Sequence, residues 1–210
     1  MKETCIGVDF SMNSAAICTL RNDKYNFYAF PRGVQKRIKE NLDSSGVILN
    51  IIPKEKLESK ILADKERFNS NDADFAINKI IIILNDVLLN TDAIGIEGIA
   101  FMARGNSIAQ FAGYHYILRY LLSKYVGYEN IHVFAPNSIK MTAGKGNFKK
   151  FQMIDAFINS EDKDLHETQF HKKIKIEPEL FQTKTGNWLS PIDDIVDSFW
   201  TLQTLLKTLS

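Results

Sequence analysis

Four acidic residues stand where hydrophobic segments of the chain begin or end. They are Asp9, Glu97, Asp194 and Asp197. Asp9 follows the apolar residues 5–8, and Glu97 follows residues 94–96. A buried carboxylate is costly unless it is paired or metal-bound, and clustered carboxylates bind hard divalent ions such as Mg²⁺ through oxygen. Because two such ions can stabilise the attacking and leaving oxygens of a phosphodiester displacement, the pattern predicts a metal-dependent nuclease.

The two C-terminal acids fall on a helix whose start is marked in the sequence. Ser190 fits the N-cap, Pro191 the first helical position and Asp193 the third, which predicts a capping box that uses the Asp193 carboxylate. Asp194 and Asp197, three residues apart, then share one side of the helix, next to its apolar stripe. We expect these two carboxylates at the edge of the core, where the strand-end acids also lie.

A basic segment lies between these acidic positions. The formal net charge of the chain is only +1, yet residues 132–152 contain four lysines and no acidic residue. The lysines are Lys140, Lys145, Lys149 and Lys150. Gly144 and Gly146 lie among them, and glycine lets the backbone approach a phosphate closely. The segment predicts contacts to DNA phosphates and an affinity that falls with salt, although a solvated surface has the same composition. The spacing of a nucleotide-binding P-loop is absent.

Length and composition predict a single α/β domain that spans residues 1–210. The hydrophobic content of 45% is enough for a core, and the two cysteines lie in apolar runs. We therefore expect both cysteines to be small core residues of a protein in a reducing compartment, and not to form a disulfide or a zinc site. The sequence shows no signal-peptide pattern, and the apolar residues 80–84 are too few to cross a bilayer. We therefore expect a cytoplasmic protein without a membrane partner.

The order of segments predicts a mixed sheet with helices on its faces. Three β-rich runs close together at the amino end indicate an antiparallel meander. Alternating helices and strands follow, and Asp72 fits the cap of the first long helix. In chain order, the predicted segments are strands at 4–10, 14–20 and 25–30, an insertion at 31–71, a helix at 72–90, a strand at 93–97, a helix at 107–125, a strand at 131–134, a helix at 148–158, a second insertion at 159–188, and the last helix.

Four short blocks contain the acids and the basic segment. They are residues 6–9 (Ile-Gly-Val-Asp), residues 96–106 (Ile-Glu-Gly-Ile-Ala-Phe-Met-Ala-Arg-Gly-Asn), residues 140–152 with Gly-Lys-Gly and then Lys-Phe-Gln, and residues 194–197 (Asp-Ile-Val-Asp). In this order they resemble the RuvC-type Holliday-junction resolvases of the ribonuclease-H-like superfamily. Phe10 and Ser11 stand where Pro-Gly is usual in that family, and the second block carries one or two extra residues.

The resemblance implies an α/β fold of the ribonuclease-H-like kind, with a mixed five-stranded sheet flanked by helices and the two insertions. It implies that the four acids hold two Mg²⁺ ions, which Mn²⁺ can replace, and that Lys150 or Lys140 steadies charge in the transition state. The implied activity is the resolution of four-way DNA junctions, in recombination and repair, by paired nicks that leave 5′-phosphate and 3′-hydroxyl ends. Because symmetric cutting needs two active sites, the implied partners are branched DNA and a second copy, which contacts the helix at 107–125.

Three further residues follow the second acidic block. Phe101 fits a stacking or wedge residue at a branch point, or equally a core aromatic. Arg104 and Asn106 have the length and donors to reach phosphates or bases, and Asn106 fits a helix N-cap equally well.

Other functions share parts of this pattern. A flap or nicking nuclease, or a ribonuclease H, would use the same acids. A non-catalytic binder of branched DNA is disfavoured, because it gains nothing from carboxylates that repel phosphate. Actin-like ATPases and sugar kinases open on a similar strand, but Met12 and Asn13 do not supply their phosphate-binding turn. We therefore expect no nucleotide cofactor.

Overall fold

The protein folds around one six-stranded mixed sheet in the order β4-β3-β2-β1-β5-β6. The structure is a computed structural model that describes residues 4–11, 13–53, 58, 60–99 and 106–210, and within these it places the side chains of all but residues 62, 106, 107 and 109. The pairs β1–β2 and β2–β3 are antiparallel, whereas β1–β5, β5–β6 and β3–β4 are parallel. The strands are β1 Cys5–Phe10, β2 Ala15–Arg21, β3 Lys24–Ala29, β4 Ile48–Leu49, β5 Ala93–Glu97 and β6 Ile131–Phe134.

Eight α-helices are seen in the described part of the chain, along with two short 3₁₀ helices at Tyr128–Asn130 and Pro178–Phe181. Among the described residues, none of the helices is both long and apolar enough to cross a membrane. The α-helices are α1 Lys36–Asp43, α2 Leu62–Leu88, α3 Asn106–Val126, α4 Pro136–Ala143, α5 Lys150–Ile158, α6 Lys163–His166, α7 Gln169–Ile176 and α8 Ile192–Leu209.

The two faces of the sheet have separate cores, and the alternation of side chains along β1 divides its residues between them. Ile6, Val8 and Phe10 pack on the face covered by α2 and α3. Cys5 packs on the opposite face, in the core that α5, α7 and α8 complete. Asp9 lies an even number of residues from Cys5, so its carboxylate is on the α8 face of the sheet.

Two paired glycines allow α8 to lie very close to the sheet. Gly7 of β1 is opposite Gly95 of β5. A Cβ atom built on Gly7 would be 2.3 Å from the carbonyl oxygen of Ser198 and 2.4 Å from the amide nitrogen of Leu202. At Gly95 the contact is looser, with Leu205 Cβ at 3.1 Å. Any side chain at position 7 would therefore push the backbone of α8 away from the strands.

The predicted fold class, a mixed α/β sheet flanked by helices, is confirmed, and the structure adds one strand to the predicted five. The sixth strand is β4, two residues long, in the segment expected to be an insertion. Its neighbour in the sheet is β3, with Tyr28 opposite Ile48. Two residues without hydrophobic alternation leave no periodic signal, and so the strand was missed. The second expected insertion contains α6, α7 and a 3₁₀ helix.

The predicted cap at Asp72 is wrong, because α2 begins at Leu62 and Asp72 lies inside the helix. Its carboxylate accepts two hydrogen bonds of 2.7 Å from the guanidinium of Arg32 and one of 2.8 Å from the hydroxyl of Tyr114. The residue thus joins the chain after β3 to α2 and α3. A bidentate guanidinium–carboxylate pair is a stronger partner for the carboxylate than a helix cap.

The predicted capping box at Ser190 is also wrong. Helix α8 begins at Ile192, Pro191 takes the N-cap position, and no side chain caps the helix. The carboxylate of Asp193 forms an ion pair with the ammonium of Lys150. A lysine brought from α5 by the tertiary fold outcompetes the local backbone amide for this carboxylate.

We expect that Gly7→Ala destabilises the protein by about 3 kcal/mol, at the upper end for overpacking, because both clashing atoms belong to the α8 backbone. Urea unfolding followed by circular dichroism measures this change. The matched comparison is Gly95→Ala in β5, opposite Gly7, where the nearest atom to a built Cβ lies at 3.1 Å and the loss of stability should be smaller. A Gly7→Ala protein as stable as the original would contradict the close-packing argument.

Candidate functional site

Three acids from distant parts of the chain meet at one edge of the sheet. Asp9 lies near the carboxyl end of β1 and Glu97 is the last residue of β5, its parallel neighbour. Asp197 lies in the second turn of α8, which crosses the same strand ends. One carboxylate oxygen from each residue lies within 4.8 Å of the other two, and all three residues are partly buried. Three carboxyl groups this close would repel one another strongly if all were ionised.

The pKa values of these acids record the cost of that arrangement. Burial raises the pKa of Asp9 well above its ordinary value, and the charges of Glu97, Asp194 and Asp197 raise it further. Burial, and then the charge of Glu97, raises the pKa of Asp197 to about 8. Burial also raises the pKa of Glu97, although a hydrogen bond with Asp9 and the charge of Lys140 act to lower it. The ionised pocket is therefore unfavourable unless a cation enters it.

Asp194 lies beside this trio. Burial and the charge of Asp193 raise its pKa to about 6, while the hydroxyl of Ser14 acts to lower it. Its oxygens are not within the 4.8 Å grouping that joins the other three acids. Its charge nevertheless acts on Asp9, so the structure brings all four predicted acids to one site, with three in close contact and Asp194 at the side.

Two of the predicted lysines lie at the same site. Burial acts to lower the pKa of Lys150, but the hydrogen bond with Asp193 and the charges of Asp194 and Asp197 raise it above its ordinary value. Its ammonium is therefore positively charged at neutral pH. Lys140, in α4, is near enough to lower the pKa of Glu97. These ammonium groups place positive charge beside the acids.

The other two lysines, Lys145 and Lys149, are exposed in and after the turn that joins α4 to α5. Gly144 ends α4 with a φ of 156°, a conformation that favours glycine. Lys149 caps α5, and its backbone amide donates to the side-chain oxygen of Gln152 at 2.9 Å. The predicted phosphate-binding segment is thus an exposed turn next to the site.

The donor set fits a hard divalent cation. It consists of carboxylate oxygens alone, which suit Mg²⁺, Mn²⁺ or Ca²⁺, and it lacks the nitrogen and sulfur ligands typical of zinc. Among the residues that the structure describes, it is the one group of three or more acids, histidines or cysteines with ligand atoms this close. A divalent ion would also relieve the repulsion that raises the pKa of each acid.

Three predicted DNA-binding positions cannot be placed in the same way. Phe101 and Arg104 lie outside the described residues, between β5 and α3. Asn106 is the first residue of α3, and its side chain is outside the described set. Their roles stay predictions.

Two residues of the site were missed by the sequence analysis. Ser14 precedes β2 and is buried beside Asp194. Asp193 was assigned to the helix cap but holds Lys150. Neither has a signal in the sequence, because their contacts join segments more than 40 residues apart and follow from the close packing of α8 on the sheet.

Solved structures have a similar fold. The structure of RuvC from Thermus thermophilus matches this protein with a TM-score of 0.50 and 10% sequence identity, over 98% of this chain and 96% of that chain. The structure of T. thermophilus RuvC in complex with a Holliday junction substrate matches with a TM-score of 0.50 and 9% sequence identity, over 99% of this chain and 96% of that chain. By sequence, no protein-family model and no curated protein matches. This protein therefore has a RuvC-like fold of the ribonuclease-H-like kind.

We expect that the metal-free protein loses stability as the pH rises from about 7 to 9. The pKa of Asp197 is about 8 when folded and near 3.8 when unfolded, so between these values the folded state holds a proton that the unfolded state lacks, and it releases this proton as the pH passes through 8. Stability falls with pH under that condition. The buried His115, whose pKa burial lowers to about 4, acts in the opposite direction but only at lower pH.

Mg²⁺ should reverse this loss. At a free Mg²⁺ concentration about 100 times its Kd, binding to the folded state alone raises the free energy of unfolding by about 2.7 kcal/mol. This corresponds to an increase of about 5–10 °C in melting temperature for a chain of this size. Thermal melts at pH 7 and 9, with Mg²⁺ or with KCl at matched ionic strength, measure both effects. Asp197→Asn should melt higher than the original protein at pH 9 without metal and respond less to Mg²⁺. A melting temperature indifferent to pH and Mg²⁺ would contradict the assignment of the metal pocket.

Proposed function

We propose that this protein is a metal-dependent, structure-selective endonuclease that resolves four-way DNA junctions by paired nicks leaving 5′-phosphate and 3′-hydroxyl ends. The observation that carries the proposal is the convergence of Asp9, Glu97, Asp194 and Asp197 beside two lysines, at the strand ends of a RuvC-like sheet. The similar structure of T. thermophilus RuvC in complex with a Holliday junction substrate supports this choice of DNA. Recombination and repair are the processes in which such junctions arise.

The proposed ligands of two Mg²⁺ ions, which Mn²⁺ can replace, are the same four acids. When bound, a pair of such ions supplies activation of the attacking water and stabilisation of the departing 3′ oxygen. Asp9, Glu97 and Asp197 provide the shared cluster of oxygens. Asp194 stands at its side, where it would complete the coordination of one ion. The ligands come from three packed elements, so their positions are fixed before DNA arrives.

Lys150 is proposed as an electrostatic catalyst. Its raised pKa keeps the ammonium protonated at neutral pH, so it stabilises negative charge on the phosphorane-like transition state and does not act as a general base. Lys140, whose charge lowers the pKa of Glu97, is proposed to do the same.

DNA binding is assigned to the exposed turn after α4. Lys140 in α4, together with Lys145, Lys149 and Lys150 in and after the turn to α5, would contact phosphates. Phe101, Arg104 and Asn106, in the connection from β5 to α3, are proposed to contact the branch point. Without these cations, the acids alone would repel the backbone of the substrate.

A homodimer is proposed through α3. One side of this helix packs on α2 through Tyr114, Leu118 and Leu122, which are buried. The other side presents a stripe of exposed residues at helical spacing: Gly113, Tyr116, Ile117 and Tyr120. Arg119 lies over the ring of Tyr116 at 4.5 Å. Exposed tyrosines with arginine are typical of protein interfaces, and two subunits would supply the two sites that symmetric cutting needs.

We expect Asp9→Asn to abolish Mg²⁺-dependent nicking of a four-way junction. The loss of a ligand to a catalytic ion removes several kcal/mol of transition-state stabilisation, which is more than about a hundredfold in rate. Junction binding should stay equal or become tighter, because one negative charge leaves the site. Asp86→Asn, an exposed acid of α2, is the control. Nicking by Asp9→Asn at the original rate would remove the two-metal proposal.

The substrate is tested with the unaltered protein and Mg²⁺. A panel of four-way junction, flap, nicked duplex, intact duplex and RNA–DNA hybrid, labelled at each 5′ end, reports which is cut and where. Preference for the flap or the hybrid would replace junction resolution by flap cleavage or ribonuclease H activity. Binding without cutting of any substrate would favour a branched-DNA-binding protein.

We expect the double change Lys149→Ala and Lys150→Ala to weaken junction binding and flatten its salt dependence. Each lost phosphate contact lowers the slope of log K against log salt by about 0.9 for duplex DNA. Fluorescence anisotropy in EDTA, from low to moderate salt, measures the slope without cutting. The control is Arg21→Ala with Lys24→Ala, two exposed cations at the opposite end of the sheet. If log K has the same slope against log salt in both double variants, Lys149 and Lys150 are ordinary solvent-exposed charges and do not contact DNA.

We expect light scattering to find a dimer, and the double change Tyr116→Asp and Tyr120→Asp to give monomers, because two carboxylates on one helix face oppose its burial. Ile176→Asp, an exposed apolar residue on α7, should stay dimeric. The monomer should nick one strand of a junction and release few paired products. A monomeric unaltered protein would rule out the α3 interface.

A further inference from the structure

A groove opens next to the acidic pocket, between the start of α5 and a turn formed by residues 182–188. Its lining includes Lys150 and Asp193, so it is continuous with the proposed metal centre. Phe151, Asp155, Asn187 and Trp188 are among the other residues that line it. A strand of DNA with its phosphate at the acids would therefore pass over this groove.

The turn that forms one wall is internally braced. Gln182 and Trp188 form an antiparallel bridge at its base. The amide of Thr183 donates to the carbonyl of Asn187 at 2.8 Å, and the amide of Asn187 donates to the hydroxyl of Thr183 at 3.1 Å. Gly186 takes a φ of 80°, which other residues rarely adopt. The wall is thus a preformed structure.

The turn is also fixed to the body of the protein. Arg37 in α1 donates to the carbonyl of Gln182, and Asn41 donates to the carbonyl of Leu180 at 2.9 Å. Trp188 packs against the core on the α8 face. A wall anchored to both α1 and the core can hold a ligand at a defined distance from the acids.

The groove has the chemistry of a base-binding site. Phe151 is 52% exposed at the first turn of α5, and Trp188, a second and half-buried aromatic, lines the same groove. Bases stack on such side chains. Asp155 and Asn187 are exposed beside the aromatics, and carboxylates and amides are the groups that read base edges. A phosphate inside the groove would meet the carboxylates of Asp155 and Asp193, so the lysines at its rim suit the backbone and its interior suits a base.

We propose that this groove binds one unpaired nucleobase of the strand being cut, stacked between Phe151 and Trp188. The carboxylate of Asp155, which can only accept hydrogen bonds when ionised, selects bases that donate from an exocyclic amino group, namely adenine through N6, cytosine through N4 or guanine through N2. The inference rests on the proposed nuclease function and adds a base preference near the cut. It uses residues of the segment 159–188 and the start of α5.

The test is an abasic scan of the DNA in EDTA, so that binding is measured without cutting. Four-way junctions with a single abasic nucleotide at each position around the crossover are titrated by anisotropy. One position should weaken binding by the unaltered protein about tenfold, the size of one base–aromatic stack. Phe151→Ala should bind the intact junction as weakly as the abasic one, and the abasic change should then have no further effect.

The amino-group preference is tested at the same position. Adenine should bind about fivefold more tightly than purine, which lacks the amino group, and cytosine more tightly than uracil, by the lower end of the value of a base-edge contact. Asp155→Ala should erase both differences. Tyr128→Ala, an exposed aromatic at the amino end of β6, should keep the responses of the original protein. Thermal melts confirm folding, and Phe151 and Asp155 are preferred to Trp188 because they are exposed.

The outcomes separate the two proposals. Normal junction binding and nicking with no sensitive abasic position, or with a sensitive position that Phe151→Ala and Asp155→Ala leave unchanged, would overturn the base site and leave the nuclease proposal in place. A protein that neither binds nor cuts any branched DNA would overturn both.

Discussion

The contact between the backbone of α8 and the paired glycines of β1 and β5 is the constraint on which the site depends. A Cβ atom at Gly7 would lie 2.3 Å from a backbone oxygen of α8, so only glycine allows the helix to rest at this distance. The helix carries Asp194 and Asp197, and the strands carry Asp9 and Glu97. A separation larger by the width of one side chain would take the helical acids out of reach of the strand-end acids. The close packing at the two glycines therefore determines whether the four acids can meet.

That packing holds like charges together against their repulsion. Burial and mutual charge raise the pKa of each acid, to about 8 for Asp197 and about 6 for Asp194. The hydrophobic cores on both faces of the sheet supply the free energy that keeps them in place, with fully buried Phe30 on one face and Phe199 on the other. A site built this way is poorly stable without a cation. The repulsion that raises the pKa of each acid is the same interaction that would favour a small, highly charged ion in the proposed metal centre.

The sequence predicted what short-range periodicity can encode. Alternation placed Asp9 at the end of β1, the run before Glu97 marked β5, and spacing put Asp194 and Asp197 on one side of α8. The predictions from sequence were wrong where contacts between distant segments override the local preference of a residue. Asp72 fits a helix cap but pairs with Arg32, and Asp193 fits a capping box but pairs with Lys150. Strand β4 and the groove at residues 182–188 depend on neighbours far along the chain, which a single sequence does not reveal.

The pairing of Lys150 with Asp193 has a consequence for how cations share the pocket. An ammonium with no other partner would move among the neighbouring carboxylates and occupy the oxygens that a divalent ion requires. Asp193 supplies a separate anchor one residue before Asp194, so the lysine stays close to the pocket without filling it. If the protein binds DNA as proposed, the ammonium could exchange the carboxylate of Asp193 for a phosphate of the substrate. Asp193 would then keep the lysine away from the proposed metal ligands until DNA binds.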